Sequence, residues 1–220
     1  MSRIVSIIGG TGEQGFGIAL RLAKAGEKIL IGSRDKKRAQ EAALKIKKMV
    51  KNADVDGMAN KDAAKNGDVI ILSVPLHALA NILNDIKPYL KNKIVVDVTN
   101  PLAGFLTGDY TKNIQLWEGS AIEFCRNCVK DAKWVKALNN IRSVALHDLN
   151  KPVDCDVVVC SDHQDAKKVI MELVEKIEGV RAIDGGPLEN SRIVEQLTAL
   201  LLYLEQKNKV PYVGLKFTGI

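Results

Sequence analysis

A glycine-rich turn between a short apolar run and a helical pattern constrains this chain more than any other feature. The apolar run covers residues 4–8, and Gly10, Gly12 and Gly15 follow it at the spacing G-x-G-x-x-G. These glycines allow a tight turn, close approach of a pyrophosphate, and close packing of helix on strand. The N–H groups and positive partial charge of a helix N-terminus stabilise a phosphate. The turn predicts a dinucleotide site; the alternative is a glycine loop that only reverses the chain.

The end of the next predicted strand, residues 28–32, indicates which dinucleotide is bound. A fold that prefers NAD usually has Asp or Glu there, about 20 residues beyond the glycines, to bind the ribose 2′-hydroxyl. This chain instead has Ser33 and Arg34, and Arg38 follows one helical turn later. A hydroxyl and a guanidinium bind the 2′-phosphate that a carboxylate would repel, and Asp35 is suited to cap the next helix. We predict NADP(H) over NAD(H); the alternative is a solvated basic helix start.

Apolar runs alternate with helical patterns along the chain, which is typical of an α/β protein. Several runs, such as 69–72 and 94–96, are apolar throughout, as in parallel strands covered on both faces. Right-handed βαβ units then give a doubly wound Rossmann sheet. The predicted strands are 4–8, 28–32, 54–56, 68–74, 93–98, 134–138, 156–160 and 180–184, and the predicted helices are 15–25, 35–51, 60–66, 76–87, 119–131, 164–177 and 189–206.

Two domains are expected, and they should pack as one body because no low-complexity linker separates them. Residues 1–149 would form the NADP(H)-binding Rossmann domain. Residues 150–220 would form a small C-terminal α/β domain that closes the acceptor cleft.

Composition limits the partners. The net charge of +6 is concentrated in residues 36–51, where apolar residues recur at helical spacing, so a solvated helix face is favoured over a nucleic-acid surface. No run of about 20 apolar residues could span a bilayer, and the first apolar run is too short for a signal peptide. We therefore expect a cytoplasmic protein with no nucleic-acid or membrane partner.

Four cysteines raise the question of a metal or redox site. Cys125 and Cys128 have C-x-x-C spacing, but Cys155 and Cys160 are separated by four residues and have no adjacent histidine. The first pair falls in a helical pattern that would bring both thiols to one face. No metal site or disulfide is predicted, and a role for Cys125 and Cys128 is left open.

The carboxyl ends of the later strands are expected to line the ligand cleft. Residues 73–78, 99–102 and 138–141 come to this edge, and each segment carries small polar side chains beside proline or aliphatic residues. Such segments suit a nicotinamide pocket. His77 either bonds to the cofactor or caps the following helix. The sequence contains no catalytic triad or paired carboxylates, and hydride transfer needs neither, so no catalytic residue is assigned.

Several of these segments resemble the NADPH-dependent coenzyme F420 reductases. They are residues 8–15, 32–34, 74–78 and 185–192, and the likeness extends over essentially the whole chain to 214–217. The resemblance implies a Rossmann domain, a small C-terminal domain, and a deazaflavin bound between them. It also implies hydride transfer between the nicotinamide C4 and the deazaflavin C5. Members are commonly dimers, so a homodimer is implied.

The resemblance also implies which residues bind the cofactors. Residues 11–14 would hold the pyrophosphate, Ser33, Arg34 and Arg38 the 2′-phosphate, and residues 74–78 the nicotinamide side. The residues assigned to cofactor binding are Gly10, Thr11, Gly12, Glu13, Gln14, Gly15, Ser33, Arg34, Arg38, Ser73, Val74, Pro75, His77, Ala78, Thr99, Asn100 and Asn139.

Two loops depart from the archaeal F420 enzymes. They are residues 97–102 and 137–141, the second with Asn139 where a histidine is expected. Both look closer to a wider family that includes reductases of flavins or ferric iron. The alternatives are therefore an NADPH-dependent reductase of a flavin, ferric iron or a cyclic imine, or a non-catalytic NADPH sensor. Under the leading hypothesis, Asn139 and Thr99 contact the acceptor ring.

Overall fold

A six-stranded parallel sheet with the strand order β3-β2-β1-β4-β5-β6 is the centre of the computed structural model, which describes residues 3–220. Its strands are β1 (Ile4–Ile8), β2 (Lys28–Ser33), β3 (Val55–Ala59), β4 (Val69–Leu72), β5 (Ile94–Asp97) and β6 (Lys133–Lys136). Strand β4 is buried throughout, as its unbroken apolar run predicts. The strand order reverses between β1 and β4, which puts the ligand-binding switch point beside the glycine-rich turn. The predicted doubly wound α/β fold is confirmed.

Helices cover both faces of this sheet. Those of the described residues are α1 (Glu13–Lys24), α2 (Lys36–Met49), α3 (Asn60–Asn66), α4 (Leu76–Ile86), α5 (Gly104–Thr107), α6 (Ala121–Cys128), α7 (Ser143–His147), α8 (Gln164–Glu175) and α9 (Ser191–Asn208). Asp35 caps α2 as predicted, because its carboxylate accepts a hydrogen bond from the backbone N–H of Lys37 at 2.8 Å. None of these described helices has the length and apolar content needed to cross a membrane.

A smaller parallel sheet is formed by β7 (Cys155–Val159) and β8 (Val180–Asp184), which α8 connects. An antiparallel bridge between Lys136 and Cys160 joins this sheet to the end of β6. A single apolar cluster contains residues of β1 and α1 together with residues of β7 and α8. The N-terminal and C-terminal parts therefore share a core and pack together, as expected from the absence of a low-complexity linker between them.

Several element ends differ from the prediction. The predicted strand 134–138 ends at Lys136, because Leu138 has a φ of 61°, in the left-handed region that a strand does not accommodate. The predicted helix 119–131 begins at Ala121, because the Ser120 hydroxyl caps it by accepting from the N–H of Glu123. Helices α5 and α7 were not predicted, since four or five residues are too few for a periodic pattern.

Candidate cofactor cleft

A cleft of about 480 Å³ lies at the carboxyl edge of the large sheet, between the glycine-rich turn and α9. The loops after β4, β5 and β6 contribute to its walls. The predicted site residues that line it are Gly12, Glu13, Gln14, Ser73, Val74, Pro75, His77, Thr99, Asn100 and Asn139. Mostly apolar walls with a few fixed polar groups are typical of a small-molecule or cofactor site.

The other predicted site residues lie behind or beside this cleft. Gly10 and Thr11 belong to the turn, Gly15 lies in the first turn of α1, and Ala78 lies in the first turn of α4. The remaining three, Ser33, Arg34 and Arg38, lie at the end of β2 and the start of α2, outside the cleft walls. Both arginines are exposed, while the Ser33 hydroxyl accepts a hydrogen bond from the N–H of Asp35 at 3.2 Å.

The glycine-rich turn has the shape that a pyrophosphate requires. A Cβ added to Gly15 would lie 2.9 Å from Gly10 Cα and from the carbonyl oxygen of Gly9, so packing alone requires glycine there. A Cβ added to Gly12 would meet only the Gly9 oxygen, at 3.5 Å, and Gly12 faces the cleft. No side chain caps the N-terminus of α1, which begins directly after Gly12. The turn therefore leaves room for a phosphate beside backbone N–H groups.

The loop after β6 is fastened to this turn. The Gln14 side-chain amide donates to the carbonyl oxygens of Leu138 at 3.1 Å and Ile141 at 3.0 Å. His147 is the last residue of α7, and its Nε2 lies 2.7 Å from the carbonyl oxygen of Glu13 at the start of α1. The Gln14 side chain therefore holds the loop after β6 against the glycine-rich turn.

Amide and hydroxyl groups form the floor of the cleft. Asn139 Nδ2 donates to Asn100 Oδ1 at 3.0 Å, and Asn100 Nδ2 donates to the Asn139 carbonyl at 2.9 Å. The Thr99 hydroxyl donates to the carbonyl of Val74 at 3.1 Å. Asn139 is only 3% exposed, and its Oδ1 has no hydrogen-bond partner among residues 3–220. A buried acceptor left without a donor is costly.

Three charged side chains lie directly behind this floor. Lys136 Nζ is 2.7 Å from Asp97 Oδ2 and 2.8 Å from Glu195 Oε1, and it also donates to the carbonyl of Thr99. All three side chains are at most 1% exposed. Burial disfavours the charge on Lys136, but Asp97 and Glu195 outweigh it and raise the pKa of the ammonium. Burial also raises the pKa of the Glu195 carboxyl.

Sequence reasoning missed these three residues, and it also missed lining residues of the cleft, Thr198 and Arg142 among them. Thr198 of α9 donates to the Asn139 carbonyl at 3.2 Å. Arg142 lines the cleft while its Nε lies 2.9 Å from a carboxylate oxygen of Glu205 on α9. The apolar pattern predicted α9 as a helix. The polar residues between its apolar positions did not indicate which strand ends they contact.

His77 stacks on Phe105 at the rim, with ring centroids 3.8 Å apart and ring planes 15° from parallel. No side chain caps the N-terminus of α4, so His77 does not cap this helix. The exposed side chains of Phe105, Leu106 and Tyr110 continue the rim around α5. The cleft therefore has an aromatic and apolar margin.

The two cysteines of the C-x-x-C pair differ in access to solvent. Both lie in α6, three residues apart, but Cys125 is buried, whereas Cys128 ends the helix and is exposed. Burial raises the pKa of the Cys125 thiol well above its ordinary value, and raises that of Cys160 to about 11. Among residues 3–220, no group of three or more His, Cys, Asp or Glu side chains is arranged to hold a metal ion.

The sequence is similar to known F420-dependent NADP reductases over nearly its whole length, which includes both walls of the cleft. The family model described as NADP oxidoreductase coenzyme F420-dependent matches residues 4–101. The F420-dependent NADP reductase of Methanocaldococcus jannaschii is 46% identical over 98% of this chain and 98% of its own length. That of Methanothermobacter thermautotrophicus is 44% identical over 98% of this chain and 95% of its own.

A solved structure has the same fold. The crystal structure of a putative F420-dependent NADP-reductase from Arthrobacter sp. FB24 covers 99% of this chain and 100% of its own, with a TM-score of 0.83 and 23% identity. The similarity therefore includes the small sheet and α9 as well as the Rossmann sheet.

Proposed function

The chain belongs to the coenzyme F420-dependent NADP oxidoreductases, and on that premise we propose that its cleft brings NADP(H) and F420 together for hydride transfer. It is an oxidoreductase that uses both molecules. The family resemblance seen in the sequence is thereby confirmed. The observation that carries the function is the identity of 44–46% with F420-dependent NADP reductases over 98% of the chain, which includes both walls of the cleft.

We propose that the dinucleotide crosses the switch point of the sheet. Its adenosine half would lie beyond β2, where the exposed Arg34 and Arg38 are available to the 2′-phosphate beside Ser33. Its pyrophosphate would lie on the turn at Gly12, and its nicotinamide half would continue toward β4 and β5. When bound, NADPH supplies a hydride and F420 accepts it. The chain positions the two rings and excludes water, so no residue is assigned as catalytic.

Asn139 and Thr99 are proposed to contact the acceptor ring. Asn139→Ala should raise the KM for F420 about tenfold and leave the Kd for NADPH unchanged, because it removes the amide that lines the floor and donates to Asn100. Steady-state kinetics and a binding titration measure these constants. Asn140→Ala is the control, since the Asn140 amide donates to the carbonyl of Asp156 and does not line the cleft. Unchanged acceptor constants in N139A and in a Thr99 variant would contradict the assignment.

We propose that residues 150–220 act as the smaller domain that closes this cleft, with the boundary near residues 149 and 150. Two observations support it: β7 and β8 form their own sheet, and Thr198 and Leu202 of α9 line the cleft opposite the turn. The cytoplasmic location stays a prediction, which cell fractionation would test.

We also propose that the chain forms a homodimer through the outer face of α9. Ile193, Leu200 and Tyr203 are exposed there, and Leu197 and Leu204 are half-buried. The leucines and isoleucine recur at intervals of four and three residues, so they form one apolar stripe. A contiguous apolar stripe on a surface helix is typical of a protein interface.

A charge on this stripe should abolish dimerisation. Leu200→Glu is expected to give a monomer, because association would bury an unpaired carboxylate. Light scattering coupled to size-exclusion chromatography measures the mass of the wild type and the variant. Gln206→Glu is the matched control, since it adds the same charge to an exposed position off the stripe. A wild-type monomer, or an L200E dimer, would overturn the proposal.

Turnover tests the proposed function directly. The purified protein is mixed with NADPH and oxidised F420, and the loss of deazaflavin absorbance is followed. NADH replaces NADPH in one set of reactions, and FMN, ferric citrate or a cyclic imine replaces F420 in another. Fast loss with NADPH and F420 is the expected result. Turnover only with another acceptor would move the function to that acceptor, and NADPH binding without any turnover would favour a sensor.

A further inference from the structure

The three buried charged side chains behind the floor of the cleft do not sum to zero net charge. Asp97 and Lys136 are the last residues of β5 and β6 and are paired neighbours in the sheet. Glu195 reaches the same ammonium from α9. The Lys136–Asp97–Glu195 network thus combines two carboxylates with one ammonium, all at most 1% exposed. When both acids are ionised it carries one excess negative charge.

Both carboxylates have further donors that favour their ionised forms. Glu195 Oε2 accepts the N–H of Ala121 at 2.9 Å, at the N-terminus of α6, where the helix dipole favours a negative charge. Asp97 Oδ1 accepts the N–H of Thr99 at 3.1 Å. These contacts oppose the cost of burial, which removes the carboxylates from water.

The network lies on the half of the sheet where the nicotinamide ring is expected. A dinucleotide bound across the switch point extends its nicotinamide half over β4 and β5, and Asp97 ends β5. Thr99 lies between the network and the cleft. Its N–H donates to Asp97 and its carbonyl oxygen accepts from Lys136, and Thr99 also lines the cleft wall. A charge in this position acts through a buried layer where water screens it weakly.

We propose that the excess negative charge of the Lys136–Asp97–Glu195 network stabilises NADP⁺ relative to NADPH in the cleft. The nicotinamide ring is positively charged in NADP⁺ and neutral in NADPH, so only the oxidised form gains from this charge. Hydride transfer from NADPH to F420 creates that positive charge, and the deazaflavin takes up one proton with the hydride. The network would therefore make bound NADPH the stronger hydride donor. This inference rests on the proposed function and adds an electrostatic role for residues that do not touch the ligands.

The test is the ratio of two dissociation constants, Kd(NADP⁺) divided by Kd(NADPH), measured by fluorescence and calorimetric titration. Glu195→Gln and Asp97→Asn each remove one charge with little change in size. Each should raise the ratio about three- to tenfold, the size expected for a unit charge acting through a partly screened layer. If a variant only distorted the cleft, it would weaken the binding of NADP⁺ and NADPH equally and leave the ratio of their dissociation constants unchanged. An unchanged ratio therefore overturns the inference.

Asp156→Asn is the matched control. Asp156 is also a buried carboxylate, but it pairs with Arg181 in the small sheet, away from the cleft. Its replacement should leave the ratio unchanged, and a change equal to that of E195Q would overturn the inference. If the wild type binds neither NADPH nor NADP⁺, the proposed function itself fails, which is a separate outcome.

The wild type gives a second measurement that needs no variant. The titratable groups facing Glu195 are Lys136, Asp97 and the buried thiol of Cys125 on α6, whose raised pKa keeps it neutral. Because burial raises the pKa of Glu195, this acid takes up a proton at a higher pH than an exposed glutamate does as the pH falls. The excess charge is then lost, and the ratio Kd(NADP⁺)/Kd(NADPH) should rise. Both ligands carry the same 2′-phosphate, so its own titration affects the two dissociation constants equally and cancels in their ratio. A ratio independent of pH would contradict the inference.

Discussion

Replacement of Gly12 by valine is expected to weaken NADPH binding at least about a hundredfold, or roughly 2.7 kcal/mol, while the protein stays folded. Gly12 has an extended backbone with a φ of −78°, which valine adopts without strain. In the free protein an added Cβ meets only the carbonyl oxygen of Gly9, at an ordinary contact distance of 3.5 Å. The new side chain would instead fill the space that the pyrophosphate needs in order to reach the N–H groups of α1.

The measurement is a fluorescence titration with NADPH, accompanied by thermal unfolding followed by circular dichroism. Gly12→Ala gives a graded comparison, with a smaller loss of affinity from a smaller side chain. Gly15→Ala differs in kind, because its Cβ would lie 2.9 Å from the backbone of Gly9 and Gly10, so it should lower the unfolding temperature as well. Wild-type affinity in G12V would mean that the glycine loop is only a turn.

The second large effect is expected at the 2′-phosphate. Arg34→Ala should raise the Kd for NADPH about ten- to a hundredfold and leave the Kd for NADH nearly unchanged, because a charge-assisted hydrogen bond contributes roughly 1.5–3 kcal/mol. Arg34 is exposed at the end of β2, and the neighbouring carboxylate of Asp35 is occupied in capping α2. The guanidinium is therefore available to a ligand phosphate.

Titrations of wild type and R34A with NADPH and with NADH measure the change in preference. Lys47→Ala is the matched control: it removes a positive charge from the last turn of α2, where Lys47 lies 3.3 Å from Asp56. Its effect on NADPH should be small and should disappear at higher salt. Equal losses for NADPH and NADH in R34A would show that Arg34 does not read the 2′-phosphate.

Local sequence patterns predicted the Rossmann half well. The turn at Gly12, the buried run of β4 and the Asp35 cap each depend on residues that are close together in the chain. Spacing and apolar period therefore encode them directly. Element ends were less accurate where a tertiary contact or a left-handed residue decided them, as Leu138 does after β6.

The floor of the cleft was predicted only in part. Asn139 and Thr99 were named because they follow predicted strands. Their polar partners could not be read from local patterns: Thr198 is 59 residues from Asn139 in sequence, and Asn100 is 39 residues from it. That Asn139 Oδ1 lacks a hydrogen-bond partner can be seen only from the positions of all its neighbours in the folded structure.

The sequence by itself determined the sheet, the glycine-rich turn and the exposed arginines at the end of β2, because each arises from neighbouring residues and their backbone preferences. Only the tertiary structure decided which polar groups meet beneath the cleft. Lys136, Asp97 and Glu195 are ordinary residues in their local patterns, and β5, β6 and α9 bring them within hydrogen-bond distance. Their burial gives them an electrostatic effect that the same charges would lack in water.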